Sequence, residues 1–169
     1  MEKTFLIGGR DIKLKACAGV LVVYKSQFGI DYADDLNLTK NNFEKLVEVG
    51  YKFLWSMAKC ADNSLIDPDK WLLSFPKLNL IEILPVVNEF FKESIDIFRI
   101  DKKVSASEGN PLSAEYLLAL ANICGFGFAD VYNMPLGLLL NVIDEYIIIK
   151  TGKEKNNVRM ATQADFDRF

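Results

Sequence analysis

No histidine occurs anywhere in the 169 residues. That absence excludes Ser–His and Cys–His nucleophilic pairs, the HExxH zinc site and most other transition-metal centres in one step. The glycines form neither a Walker A loop nor a GxGxxG fingerprint, and Gly125-Phe126-Gly127 alone makes no phosphate cradle. Cysteine is scarce. Cys17, Cys60 and Cys124 lie far apart, form no CxxC and no zinc spacing, and read as small core residues in a reducing compartment. The N-terminus is charged and has no apolar stretch of signal-peptide length. The longest apolar run, Met134–Ile149, is broken by Asn141, Asp144 and Glu145 and falls short of the roughly 20 residues a membrane span needs. Basic charge is not in excess either: 20 Lys and Arg stand against 23 Asp and Glu, a net charge of −3. The expectation is a cytosolic chain with no membrane partner and no nucleic-acid partner.

What is present is apolar. Half the residues are hydrophobic and a quarter charged, enough for one sizeable core, or for one domain with an appended segment. Lys3–Ile7 and Asp11–Cys17 flank Gly8-Gly9-Arg10, which reads as a β-hairpin. A two-residue loop at Gly8-Gly9 or at Gly9-Arg10 puts Phe5 and Ile7 on the face of Ile12 and Leu14. That face must pack on helices, because a lone hairpin is marginal. Gly19–Phe28 suits a short helix stopped by Gly29, although Val20, Val22 and Val23 keep a strand open. Asp31–Leu36 reads as a polar turn.

Asn41 or Asn42 can cap a helix in which Phe43, Leu46, Val47, Gly50, Tyr51, Leu54, Met57, Ala58 and Ala61 recur at three- and four-residue steps. Asp67-Pro68-Asp69 opens a short helix over Lys70–Phe75. Asn79 can cap another through about Phe98, with Pro85 kinking it or marking its true start. Asp101–Pro111 is the best linker. Ser113 then caps Ala114–Cys124, Ala129–Tyr132 adds a turn, and the stretch to Lys150 is an apolar helix. The fold expected is mainly α, with an N-terminal β-hairpin packed on a helical bundle and a helical C-terminal extension. Its divisions are a core at 1–100, a linker at 101–111, the extension at 112–150 and a polar tail at 151–169.

Carboxylates are the remaining chemical candidates. Asp34-Asp35 and Asp144-Glu145 could bind a hard cation or move protons, as in a carboxylate-dependent metal hydrolase. Adjacent helical residues diverge by about 100°, so neither pair converges by itself, and a solvated face or cap is the plainer reading. Cys60 or Cys124 as a nucleophile lacks a neighbouring base. Tyr51, Phe53 and Trp55 without interleaved basic residues fit core packing better than base stacking.

An apolar surplus remains. Val49, Phe53 and Trp55 lie off the stripe of the strongest helix, and Phe90-Phe91 and Ile147–Ile149 exceed what one buried face requires. Such helices are central in a bundle, or they feed an intermolecular surface.

The segment Tyr24-Lys25-Ser26-Gln27-Phe28-Gly29-Ile30-Asp31, following a hairpin with a glycine turn, resembles the N-terminal signature of tail assembly chaperones of long-tailed phages and prophages of Gram-positive bacteria. Asn133-Met134-Pro135-Leu136-Gly137 through Ile143-Asp144-Glu145-Tyr146 resembles their C-terminal extension, and Ala161-Thr162-Gln163-Ala164-Asp165-Phe166-Asp167 is similar to a tail of the same group. The three segments stand in the family's order; the middle, Asn37–Phe98, matches only as a helical, hydrophobic region. The resemblance implies a non-enzymatic protein without cofactor or metal. Such a protein binds the tape measure protein, keeps it soluble and extended, and recruits the major tail tube protein during virion morphogenesis. It implies residence in the cytoplasm of the bacterial host, absence from the mature virion, and room for self-association. Partner-facing candidates are Phe53, Trp55, Phe90 and Phe91, and in the extension Leu136, Leu140, Tyr146 and Ile147. Another phage morphogenesis factor, a tail completion or head–tail adaptor protein, is the binding-class alternative.

Overall fold

The computed structural model describes residues 1–40, 42–65, 67–75, 79–96 and 113–152, with the side chains of 80–82 left aside. The linker expected at 101–111 and the tail from 153 onward lie outside the described residues. Within them the chain is mainly helical behind an N-terminal hairpin of β1 (Glu2–Ile7) and β2 (Arg10–Lys15). The antiparallel register pairs Phe5 with Ile12 and Ile7 with Arg10, so the loop is Gly8-Gly9. Both glycines have positive φ, 56° and 80°, as a two-residue turn between right-twisted strands demands. Ile7 and Leu14 are buried.

Eight helices follow among the described residues. The first, α1 (Gly19–Phe28), closes at Gly29, whose left-handed φ of 75° lets its N–H reach the Lys25 carbonyl. The strand alternative is thereby resolved. The expected polar turn is instead a short helix, α2 (Tyr32–Asn37). Local propensity did not foretell it, because tertiary partners hold it. Asp35 is only 1% exposed, yet it accepts from the Tyr24 hydroxyl at 2.6 Å and pairs with Lys45 at 3.1 Å and Lys52 at 3.2 Å. Asn42 caps α3 (Phe43–Ala61) by accepting from Lys45 N–H. Asp67 caps α4 (Pro68–Leu73), with Pro68 in the first turn.

The helix α5 (Leu80–Asp96) runs through Pro85. The next described helices are α6 (Ala114–Ile123), capped by Ser113, then α7 (Phe128–Asn133) and α8 (Leu136–Thr151). These last three helices do not stand apart. Leu117, Ala121, Val131, Leu136, Leu139 and Ile143 join one apolar cluster with the hairpin, α1, α3 and α5.

Polar joints fix that docking. Asp31 accepts from the Ala114 N–H at 2.9 Å while holding Lys25 at 2.9 Å, and the Ala18 N–H reaches the Met134 carbonyl at 2.8 Å. Through these contacts Asp31 and Lys25 help seat α6 against α1. Gly137 lets α8 touch α5: a Cβ there would overlap the Ile95 carbonyl oxygen.

Two outcomes follow for stability. Gly137→Ala should cost about 1–3 kcal/mol in urea denaturation from backbone overlap, despite alanine's roughly 1 kcal/mol helical advantage. Gly50→Ala, which meets only the movable Leu84 side chain, should cost less. Burial pushes the Asp35 carboxyl up, but the Tyr24 hydroxyl and the Lys45 and Lys52 ammonium groups outweigh it and hold it below its ordinary 3.8. A carboxyl depressed by folding contributes stability present above its unfolded pKa and lost as pH falls through the folded value. Asp35→Asn should therefore lose about 1–3 kcal/mol at neutral pH and flatten the fall in stability below pH 3.8, read by urea denaturation across an acid series.

Candidate partner-binding surface

Five of the eight residues expected to face a partner are core residues. Phe53 and Trp55 are 1% exposed, and Phe90, Phe91 and Leu136 are buried as well. Phe53 stacks on Tyr32 at 4.4 Å and meets Phe91 edge-on at 4.9 Å, while Phe90 meets Phe5 of the hairpin at 5.3 Å. The physical reason is that α3 is the central helix. Its C-terminal half is covered by β2, α1, α2 and α5 together, so residues off its main stripe are buried too. Leu140 and Tyr146 are half-buried, and only Ile147 is exposed, at 40%.

The stripe itself fails at the other end of the same helix. Phe43 is 63% exposed and Leu46 is also exposed, although both sit in register with buried Leu54. Among the described residues the first turns of α3 are less covered than the later ones, with Lys45 held by Asp35 of α2 while Phe43 and Leu46 stay exposed. A second bare strip lies on α8. Leu136, Leu139 and Ile143 face the core, whereas Leu138 and Ile149, 77% exposed, sit on the opposite side with half-buried Val142 between them. The sequence signal for that strip was the density of aliphatic residues in α8, more than one buried face requires. For Phe43 and Leu46 no signal existed, since their spacing is that of core residues.

Beside Phe43 runs a groove of about 620 Å³ between α1, α3 and α4. Phe28, Val47, Tyr51, Pro68 and Leu72 supply its apolar surfaces, and Glu44, Glu48, Lys52 and Asp69 its charges. The Tyr51 hydroxyl donates to the Pro68 carbonyl, tying α4 to α3, and its ring stacks with Trp71. Burial first, and then the charges of Asp69 and Asp67, push the Tyr51 phenol up.

Among the described residues no group of three or more His, Cys, Asp or Glu could hold a metal ion, so Asp34, Asp35, Asp144 and Glu145 do not gather into the site a metal hydrolase needs. Cys17 and Cys60 are buried against each other. The hydrogen bond from Cys60 draws the Cys17 thiol down to about 7, against the effect of burial, and the same contact pushes Cys60 up. Burial pushes Cys124 up as well. Neither Cys60 nor Cys124 has the lowered pKa of a nucleophile.

The division between core and surface is measurable. Phe53→Ala should lower unfolding free energy by about 3–5 kcal/mol, whereas Phe43→Ala should change it by no more than about 0.5 kcal/mol. Equal losses in denaturant titrations would mean that Phe43 is covered in solution. No protein-family model, curated protein or solved structure matches this chain.

Proposed function

We propose that this protein is a phage tail assembly chaperone, which binds the tape measure protein, keeps it soluble and extended, and recruits the tail tube protein during tail morphogenesis. The observation that carries this reading is the apolar surface left over once the core is complete: Phe43 and Leu46 on α3, Leu138 and Ile149 on the outer side of α8, and Ile147 at the end of its core-facing row. Two separate bare strips on one small chain suit a protein that holds one partner and meets another. The N-terminal hairpin, the helical body and the C-terminal helix also fit the order of segments on which the family resemblance rests.

Energetics favour a reversible grip. Burying several hundred Å² of apolar surface yields several kcal/mol at about 25 cal/mol per Å² before association costs. Contacts of that strength are weak enough to release when the tube protein polymerises. Many copies along one extended client hold it collectively. On this reading the protein acts in the host cytoplasm and leaves before the virion is complete. No helix among the described residues is long and apolar enough to cross a membrane.

Co-expression with the tape measure protein of the same phage tests the reading. The tape measure protein should move from the pellet to the soluble fraction and co-purify with this chain. The double variant Leu138→Ser/Ile149→Ser alters only exposed positions and should reduce co-purification of the tube protein while leaving the fold intact. A tape measure protein equally insoluble with and without this chain would overturn the proposal. Recovery of this chain from purified particles would point instead to a structural component of the virion.

A further inference from the structure

The groove between α1, α3 and α4 is lined by more acidic than basic side chains. Three carboxylates, Glu44, Glu48 and Asp69, line it beside one ammonium group, Lys52, and Glu48 is also paired with Lys45 at 3.0 Å. The Lys52 ammonium is already engaged by buried Asp35 at 3.2 Å and by Glu48. Glu44 and Asp69 form no ion pair among the described residues, and both are exposed. We infer that this groove takes an amphipathic helical segment of a partner protein, one whose apolar stripe is flanked by lysine or arginine.

The dimensions suit such a segment. Val47 and Tyr51 continue the exposed Phe43 at four-residue steps along α3, and eight residues of helix span about 12 Å, a little over two turns. A ligand helix of that length presents apolar side chains at i, i+3 or i+4, and i+7. Phe28, Pro68 and Leu72 form the facing walls. Lysine and arginine lay their methylene stems along such walls while their charges reach the rim, where Glu44 and Asp69 await a counter-charge.

The same charges argue against a second copy as occupant. Among the described residues, the most exposed apolar strip at the C-terminal end lies on α8, whose sequence has two acidic side chains, Asp144 and Glu145, and one basic, Lys150, the wrong balance for an acidic rim. A nucleic acid is repelled for the same reason. This inference rests on the reading of the chain as a chaperone that binds other proteins, and it names the chemistry of the segment held.

The test uses the full chain and two labelled amphipathic helical peptides with the same leucine stripe, one flanked by lysines and the other by glutamates. Fluorescence anisotropy should show the lysine peptide binding roughly tenfold tighter, as two rim pairs of modest strength would give, with the margin shrinking at high salt. Glu44→Lys/Asp69→Lys should reverse the preference, and Glu44→Gln/Asp69→Asn should abolish it. Circular dichroism of each variant checks that the fold is kept. Equal binding of both peptides, binding of neither, or a preference untouched by charge reversal would overturn the assignment. So would concentration-dependent self-association lost in Glu44→Lys/Asp69→Lys, which would give the groove to a second copy.

The two proposals fail separately. If Glu44→Lys/Asp69→Lys solubilises the tape measure protein as well as wild type does, the groove assignment falls and the chaperone reading stands. If wild type binds the lysine peptide but solubilises nothing, the chaperone reading falls and the groove stands.

Discussion

From Val49 to Cys60 the third helix has almost no face left for water. Phe53, Leu54, Trp55, Met57 and Ala58 point in different directions around its axis, and each is essentially fully buried. A helix so placed imposes the rest of the architecture. The hairpin, α1, α2 and α5 must each cover one side of it, and the hairpin gains from the same contact the third layer that a two-stranded ribbon lacks. Lys52 reaches the outside of this buried segment because Asp35, Glu48 and the face of Phe28 give its ammonium group partners there.

Polar groups then decide how the remaining helices dock. Asp31 and Asp35 are four residues apart, both buried, and both committed to residues distant in the chain. A buried carboxylate accepts several hydrogen bonds only from correctly placed donors, so these two residues select one arrangement of α1, α2, α3 and α6 from the many that apolar contact alone would tolerate. Gly19 and Gly137 act in the same sense through shape. At Gly19 a Cβ would lie 2.7 Å from the Tyr132 carbonyl oxygen, so α7 approaches α1 as closely as it does only because no side chain intervenes.

The apolar surplus is real but sits elsewhere than composition and spacing implied. The central position of α3 consumes its off-stripe aromatics as core and leaves its first turns bare. The low polarity of α8 gives it two apolar sides, of which the neighbouring α5 and α6 cover one. The bare strips are apolar, and Asp35, Cys17 and Cys60 are buried among neighbours from other elements.

By itself the sequence determined the local elements. Gly8-Gly9-Arg10 marked the hairpin turn and Gly29 a helix stop, Asp67 and Ser113 marked two helix starts and Asn41 or Asn42 a third, and the lack of histidine removed whole classes of catalysis. Each of these depends on interactions within a few residues, which a linear string displays. Only the tertiary structure decided that Asp31–Leu36 contains a helix, that Phe53, Trp55, Phe90, Phe91 and Leu136 are core, and that Phe43 and Leu46 are surface. Those outcomes depend on how many neighbours surround a helix at each turn. A helical period reports which residues share a face; whether that face meets protein or water is settled by packing with segments distant in the chain.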